Sequence, residues 1–299
     1  MQLMMKIVDL QLIYNSLMHI FTKKNELISH LKSISNPQTK IGFVPTMGAL
    51  HLGHLSLLIE AVNNNTIVVI SIFVNPTQFN NPEDFEKYPK TLEKDVEKIQ
   101  SVSNNIIVFA PAENDIYEGN TASQHFDFDG LEHQMEGKFR PGHFNGVGTI
   151  VKRLLEIVKP TNAYFGEKDF QQLQIIKKMV AKQKMQVNVI GCPIFRELNG
   201  LAMSSRNEQL SEKEKETSAV IYKTLVKAQI LFATKSAKAV SEWVKSNFEK
   251  NHAFKLEYFQ IADEATLLPC IKKNKNQKYR AFIAVFVNKV RLIDTISLN

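Results

Sequence analysis

The stretch Ile41-Gly42-Phe43-Val44-Pro45-Thr46-Met47-Gly48-Ala49-Leu50-His51-Leu52-Gly53-His54 decides the fold. It opens as a short apolar run, the mark of a strand buried on both faces. It then turns through Gly48 and Gly53 into an amphipathic stretch that reads as a helix over 54–63. In an open parallel sheet such a strand-to-helix turn lies at the carboxyl edge, where ligands bind. Glycine lets the backbone approach a ligand closely. The first helical turn offers N–H groups and a partial positive charge, which suit a phosphate. His51 and His54 share one face of that turn and present two hydrogen-bond donors to a developing negative charge. A zinc pair on a helix uses a spacing of four with a Glu between, and that Glu is absent.

Outward from this turn, apolar runs at 67–74, 106–109, 163–165 and 187–190 join 41–44 as strands. Helical patterns at 82–102, 147–158 and 170–184 separate them. The alternation predicts an α/β fold, a Rossmann-like doubly wound parallel sheet over 1–194. Beyond residue 195 the pattern changes to helices at 212–232 and 236–249, then strands at 280–288 and 290–296, with a polar loop at 272–278. That reads as a smaller α+β C-terminal domain over 195–299.

Composition narrows the class. The 299 residues are 44% hydrophobic and 22% charged, which are globular values. No uncharged apolar stretch is long enough to span a bilayer. Met1 to His19 lacks the pattern of a secretory leader, with Lys6 and Asp9 early. Cys192 and Cys270 are the only cysteines, too few for a disulfide framework or a four-cysteine zinc site, and they point to a reducing, cytoplasmic compartment. Lys and Arg number 37 against 30 Asp and Glu, and the whole excess of seven falls after residue 194. That excess fits a basic lid over an anionic ligand, a solvated lysine-rich face, or a nucleic-acid surface around Lys272, Lys273, Lys275 and Lys278. No stacking aromatic interleaves those lysines, which counts against nucleic acid.

Four further segments carry chemistry. Gly166-Glu167-Lys168-Asp169 follows a strand and opens a helix, with Lys168 a compact charge for phosphate. Met203-Ser204-Ser205-Arg206 sets two hydroxyls beside a guanidinium that can grip phosphate in two places, on a loop at the domain boundary. Asn75 and Gln78 after the second strand suit the hydroxyls and carboxylate of a small polar substrate. Arg140 and His143 lie in a glycine-rich cationic stretch that could order on an anion.

Together P-T-M-G-A-L-H-x-G-H, S-I-F-V-N-P-x-Q-F, R-P-x-H-F-x-G-V, F-G-E-K-D-x-Q-Q-L and G-L-A-M-S-S-R-N resemble the pantothenate synthetase (pantoate–β-alanine ligase) family, in family order across 41–207. The resemblance implies an ATP-dependent ligase of the HxGH nucleotidyltransferase type. Pantoate and ATP would give a pantoyl adenylate and pyrophosphate, and β-alanine would then displace AMP. Met47, Gly48, Ala49, Leu50, His51, Leu52, Gly53 and His54 would line the ATP site, with Gly166, Glu167, Lys168, Asp169, Phe195, Met203, Ser204, Ser205 and Arg206. His54, His51, Lys168 and Arg206 would act on the phosphates. Gln78 and Gln172 would hold pantoate, and Mg2+ would bridge phosphate oxygens with Asp95 nearby. A homodimer through the N-terminal domain is also implied. Asn199 replaces the family's usual Asp and removes a charge beside the hinge, and family members commonly begin at the position of Met5. The alternative is another HxGH-type nucleotidyltransferase.

Overall fold

The computed structural model describes residues 18–79, 82–86 and 88–299. The expectations about a leader and a start at Met5 concern residues outside that range. In chain order the first part contains β1 (Ile20–Phe21), α1 (Lys24–Ile34), β2 (Ile41–Thr46), α2 (Leu52–Asn64), β3 (Ile67–Ile72), α3 (Pro82–Glu86) and α4 (Leu92–Gln100). It continues with β4 (Ile107–Phe109), α5 (Glu113–Tyr117), α6 (Met135–Phe139), α7 (His143–Val158), β5 (Asn162–Gly166), α8 (Phe170–Lys182) and β6 (Asn188–Cys192). These strands form one parallel sheet in the order β1-β4-β3-β2-β5-β6.

Each central strand is apolar on both sides. Phe43, Val69 and Phe109 enter the core beneath α1, α7 and α8, whereas Val44, Ile70 and Val108 enter the core beneath α2 and α4. The strand order reverses between β2 and β5, so a crevice opens at their carboxyl ends. Pro45 sits there without breaking the sheet. Thr46 O accepts from Phe73 N–H at 3.0 Å, so the N of the preceding Pro45 faces β5. β2 pairs with β5 at Gly42 and Phe43, short of Pro45, and the N–H that proline lacks is not needed.

The second part holds α9 (Glu212–Thr234), α10 (Ala237–Glu249), β7 (Phe254–Asp263), β8 (Tyr279–Val287) and β9 (Val290–Ser297). Its antiparallel sheet, β7-β8-β9, rests on α9 and α10 through Leu225, Val240, Val244, Ile283 and Val285. Its other face is not exposed, for Ala262, Leu267 and Phe282 complete the core of the first part. Two charged clasps hold the parts together. Arg291 forks onto Glu136 at 2.7 and 2.8 Å, and Tyr258 adds a 2.7 Å bond to the same carboxylate. Arg280 reaches Glu167 at 3.2 Å while stacked on Phe170.

The pattern-based expectation of one helix over 82–102 is corrected, since α3 and α4 flank Pro89. Proline ends the helical bonding there and pushes Tyr88 out of the helical region. The helix expected at 147 instead starts at His143, because Gly146 and Gly148 serve close packing rather than breaking the helix. A Cβ on Gly146 would lie 2.2 Å from Thr77 O, backbone against backbone. Gly146→Ala should therefore lower the unfolding free energy by about 2–4 kcal/mol. Urea denaturation measures it, and a loss under ~0.5 kcal/mol would contradict this packing.

Candidate active site

The turn from β2 into α2 is held from behind by α4. Gly48 (φ 84°) and Ala49 (φ 50°) adopt left-handed backbone. The turn's amides then point at Asp95, whose carboxylate accepts Ala49 N–H at 3.0 Å and Leu50 N–H at 2.7 Å. Thr91 Oγ1 also donates to it, at 3.2 Å. One turn along α4, Lys98 donates to Leu50 O. Asp95 is fully buried, and both its oxygens accept hydrogen bonds from the turn and from Thr91, so it anchors the turn.

The two imidazoles cap α2. His51 is the N-cap residue, and its Nδ1 accepts Gly53 N–H at 3.1 Å. His54 Nδ1 accepts His51 N–H at 3.3 Å, completing a reciprocal capping box. A backbone N–H can only donate, so each Nδ1 is bare and each neutral ring carries its proton on Nε2. The ring centroids are 4.0 Å apart. Burial, then the charges of Lys168 and Lys98, lower the His51 pKa to about 4. Burial, then His51, Lys168 and Lys98, hold His54 well below its ordinary value. The pair is neutral at pH 7 and offers two Nε2–H donors.

These rings line a cleft of about 250 Å3 at the β2/β5 switch point. Met47, Gly53, Asn75, Gln78, Gly166, Lys168, Asp169, Gln172, Phe195, Met203, Ser204, Ser205 and Arg206 also line it, so most of the predicted site converges. Lys168 sits in the 3-10 turn after β5, mostly buried and 3.9 Å from Asp169. Ser204 caps the short turn Ser205–Gln209 through Arg206 N–H at 3.2 Å, which carries Ser205 and Arg206 over the cleft. Phe195 O accepts Met203 N–H at 3.0 Å, tying the two sides of the segment that leads out of β6.

Several predicted residues stand elsewhere. Gly48, Ala49 and Leu50 form the turn behind the cleft, with Leu50 buried in the core. The Leu52 side chain is exposed. Glu167 is turned to Arg280. Asn75 reaches the cleft wall, but its amide is committed to protein groups: Nδ2 donates to Gln78 Oε1 and Gly146 O, each at 3.2 Å. Arg140 and His143 line a smaller pocket that shares Lys168, Asp169, Gln172 and Arg206 with the main cleft, and they grip the Gln78 carbonyl. His143 Nδ1 lies 2.8 Å from Gln78 O, and its Nε2 lies 3.3 Å from Arg140 Nη1. Arginine and carbonyl fix the tautomer, with Nε2 accepting and Nδ1–H donating. Asn199 holds its own turn, donating to Lys215 O at 3.1 Å and accepting Leu201 N–H at 3.0 Å. Of the two adjacent glutamines, Gln171 is buried in bonds to Glu136 N and the carbonyls of Leu131 and Gln134, which leaves Gln172 to the cleft. Tyr88, Tyr164 and Ile150 also line the cleft, and no local signal in the sequence marks them.

A crevice lined by hydrogen-bond donors and cations at the switch point of a parallel sheet, with paired imidazoles capping a helix, defines a nucleotide-binding α/β enzyme. The model of the pantoate-beta-alanine ligase family matches residues 19–297, so the chain belongs to that family of ligases. The pantothenate synthetase of Flavobacterium psychrophilum is 62% identical over 281 residues, 94% of this chain and 100% of that protein. The pantothenate synthetase of Thermus thermophilus superposes with a TM-score of 0.85 at 36% identity, covering 94% of this chain and 99% of that one. The pantoate-beta-alanine ligase of Francisella tularensis, solved in complex with beta-gamma ATP and beta-alanine, gives 0.75 at 36% identity, covering 94% and 98%. Among the described residues no helix is long and apolar enough to cross a membrane.

The low histidine pKa values predict a pH dependence. For His51 and His143, both lowered to about 4, the unfolded chain binds a proton near pH 6.5 that the folded chain refuses. Stability is therefore full above about pH 6.5 and falls as pH drops toward 4, by at most about 1.4 kcal/mol per pH unit for each histidine. His51→Asn should flatten the slope of unfolding free energy between pH 4 and 6.5. An unchanged slope would contradict a neutral His51.

Proposed function

We propose that the enzyme joins pantoate to β-alanine in two steps within this one cleft. A pantoate carboxylate oxygen attacks the α-phosphorus of ATP, and the bond to the β-phosphate oxygen breaks, giving pantoyl adenylate and pyrophosphate. The β-alanine amine then attacks the activated carbonyl, losing a proton and releasing AMP. Adenylation converts a poor leaving group into a good one, and the enclosed cleft protects the mixed anhydride from water.

The observation that carries this reading is the convergence of two neutral Nε2–H donors with Lys168 and the Ser204-Ser205-Arg206 segment. Charge builds on the departing pyrophosphate, and fixed donors and cations stabilise it most at that moment. Neutral rings act here as hydrogen-bond donors, not as imidazolium acids. Gln78 and Gln172, across the cleft, hold pantoate. Mg2+ enters on the phosphates of ATP. The described residues place no group of three or more His, Cys, Asp or Glu for a metal, and Asp95 is engaged by backbone amides. Residues 195–299 serve as a lid that brings Arg206 to the nucleotide. We further propose that the enzyme is cytoplasmic and pairs as a homodimer through its N-terminal domain.

The test is incubation with ATP, pantoate and β-alanine. AMP release that requires both acids supports the reading, and the absence of any AMP release dependent on both acids overturns it in favour of another nucleotidyltransferase. His51→Ala or Lys168→Ala should slow pyrophosphate release in the first step about 10²–10³-fold. Wild-type rates in both would remove these residues from the phosphate site.

A further inference from the structure

Among the described residues, Tyr117 is nearly fully buried, yet its hydroxyl is spent one residue away from the cleft. It donates to Asn75 Oδ1 at 2.5 Å, and Thr77 Oγ1 lies 3.2 Å from both oxygens. Amide ends can be told apart here by following which partners only accept. Gly146 O accepts, so the end of Asn75 facing it is the N–H end. That same Nδ2 meets Gln78, so the Gln78 end facing it is Oε1. The Gln78 NH2 is thereby turned the other way, toward Met47 Sδ at 3.0 Å, where the cleft begins. The Tyr117 hydroxyl completes the set by donating to Asn75 Oδ1, the end that Gly146 O cannot serve, and so adds to the hold on the amide. The main chain of Gln78 is held independently by Arg140 and His143.

We propose that Tyr117 is a positioning residue for acid recognition: acting through Asn75, it sets Gln78 with its N–H groups toward the cleft. This rests on the reading of Gln78 as a pantoate contact. A glutamine held this way presents donors only, which a carboxylate and a hydroxyl oxygen accept. Turned over, it would present a carbonyl oxygen and repel the carboxylate. Burial, the largest cause, raises the Tyr117 pKa, so the hydroxyl keeps its proton at neutral pH. Tyr117 lies on α5, beyond the reach of the substrate, and does not line the cleft.

The experiment is steady-state kinetics on Tyr117→Phe, Asn75→Asp, their double variant and Gln78→Leu, with folding checked by circular dichroism. Tyr117→Phe should raise the pantoate KM about tenfold, as for loss of one buried orienting hydrogen bond. The ATP KM and kcat should stay within about twofold, a split that general loosening would not produce. Asn75→Asp cannot donate to Gln78 Oε1, so it should raise the pantoate KM at least as much. Adding Tyr117→Phe to it should cost little more, because both act through the same amide. A pantoate KM unchanged in Tyr117→Phe, an ATP KM rising in parallel, or fully additive losses in the double variant would each overturn the proposal. Should Tyr117→Phe not fold, an unchanged pantoate KM in Asn75→Asp overturns it alone. Gln78→Leu separates the two layers. If it leaves the pantoate KM unchanged, the contact role of Gln78 falls. If it raises that KM while Tyr117→Phe does not, only the role of Tyr117 falls.

Discussion

The first turn of α2 has amide groups with no carbonyl to receive them, and here two of them are received by imidazole nitrogens. That constraint organises the rest of the site. It spends Nδ1 of both rings on the backbone and so dedicates Nε2–H of both to the cleft. It also requires the rings to stay neutral, since a protonated Nδ1 could not accept. Burial beside Lys168 and Lys98 enforces the same neutrality from outside. Gly53 is part of the device, because a Cβ there would lie 2.9 Å from the His51 ring and push it off the cap.

Around this cap the structure separates touching from positioning. Asp95 and Lys98 hold the turn from behind, and Asn75, Arg140 and His143 hold Gln78. Such residues occupy motifs as regular as those of the cleft wall, yet their polar atoms are used up within the protein. A pre-set site requires this backing of buried, fully bonded polar groups, each costly if its partner is lost. The C-terminal part follows the same logic. Its Arg280 and Arg291 are consumed by Glu167 and Glu136 across the boundary, so part of the C-terminal positive excess is interface and not open surface.

Much of the fold was legible because strands buried on both faces must be apolar throughout, as in 67–72 and 106–109. Apart from α1 (Lys24–Ile34), an amphipathic helix that buries Leu27 and Leu31, the elements that escaped notice have weak local signals. β1 has two residues, α5 and α6 have five each, and β7 is mixed in polarity because its exposure changes along its length. The site was partly legible for the same kind of reason. A glycine-histidine turn after a strand, a Lys-Asp turn after another and a Ser-Ser-Arg segment each carry their chemistry in adjacent residues. The bracing bonds of Asp95 and Asn75 were not legible, because residue type shows what a side chain can bind, not what the protein has already bound to it.

From its residues alone this chain declared a parallel α/β core, a glycine-histidine turn suited to phosphate and the family that shares its motifs, since periodicity and short-range spacing are local properties. Tertiary packing decided the protonation of the imidazoles, the direction of the Gln78 amide and the division between residues that face the cleft and residues that brace it. Those depend on burial and on partners tens of residues away, such as Tyr117 and Gly146 around Asn75, and no spacing within a linear chain encodes which lone pair is left over once the fold has closed.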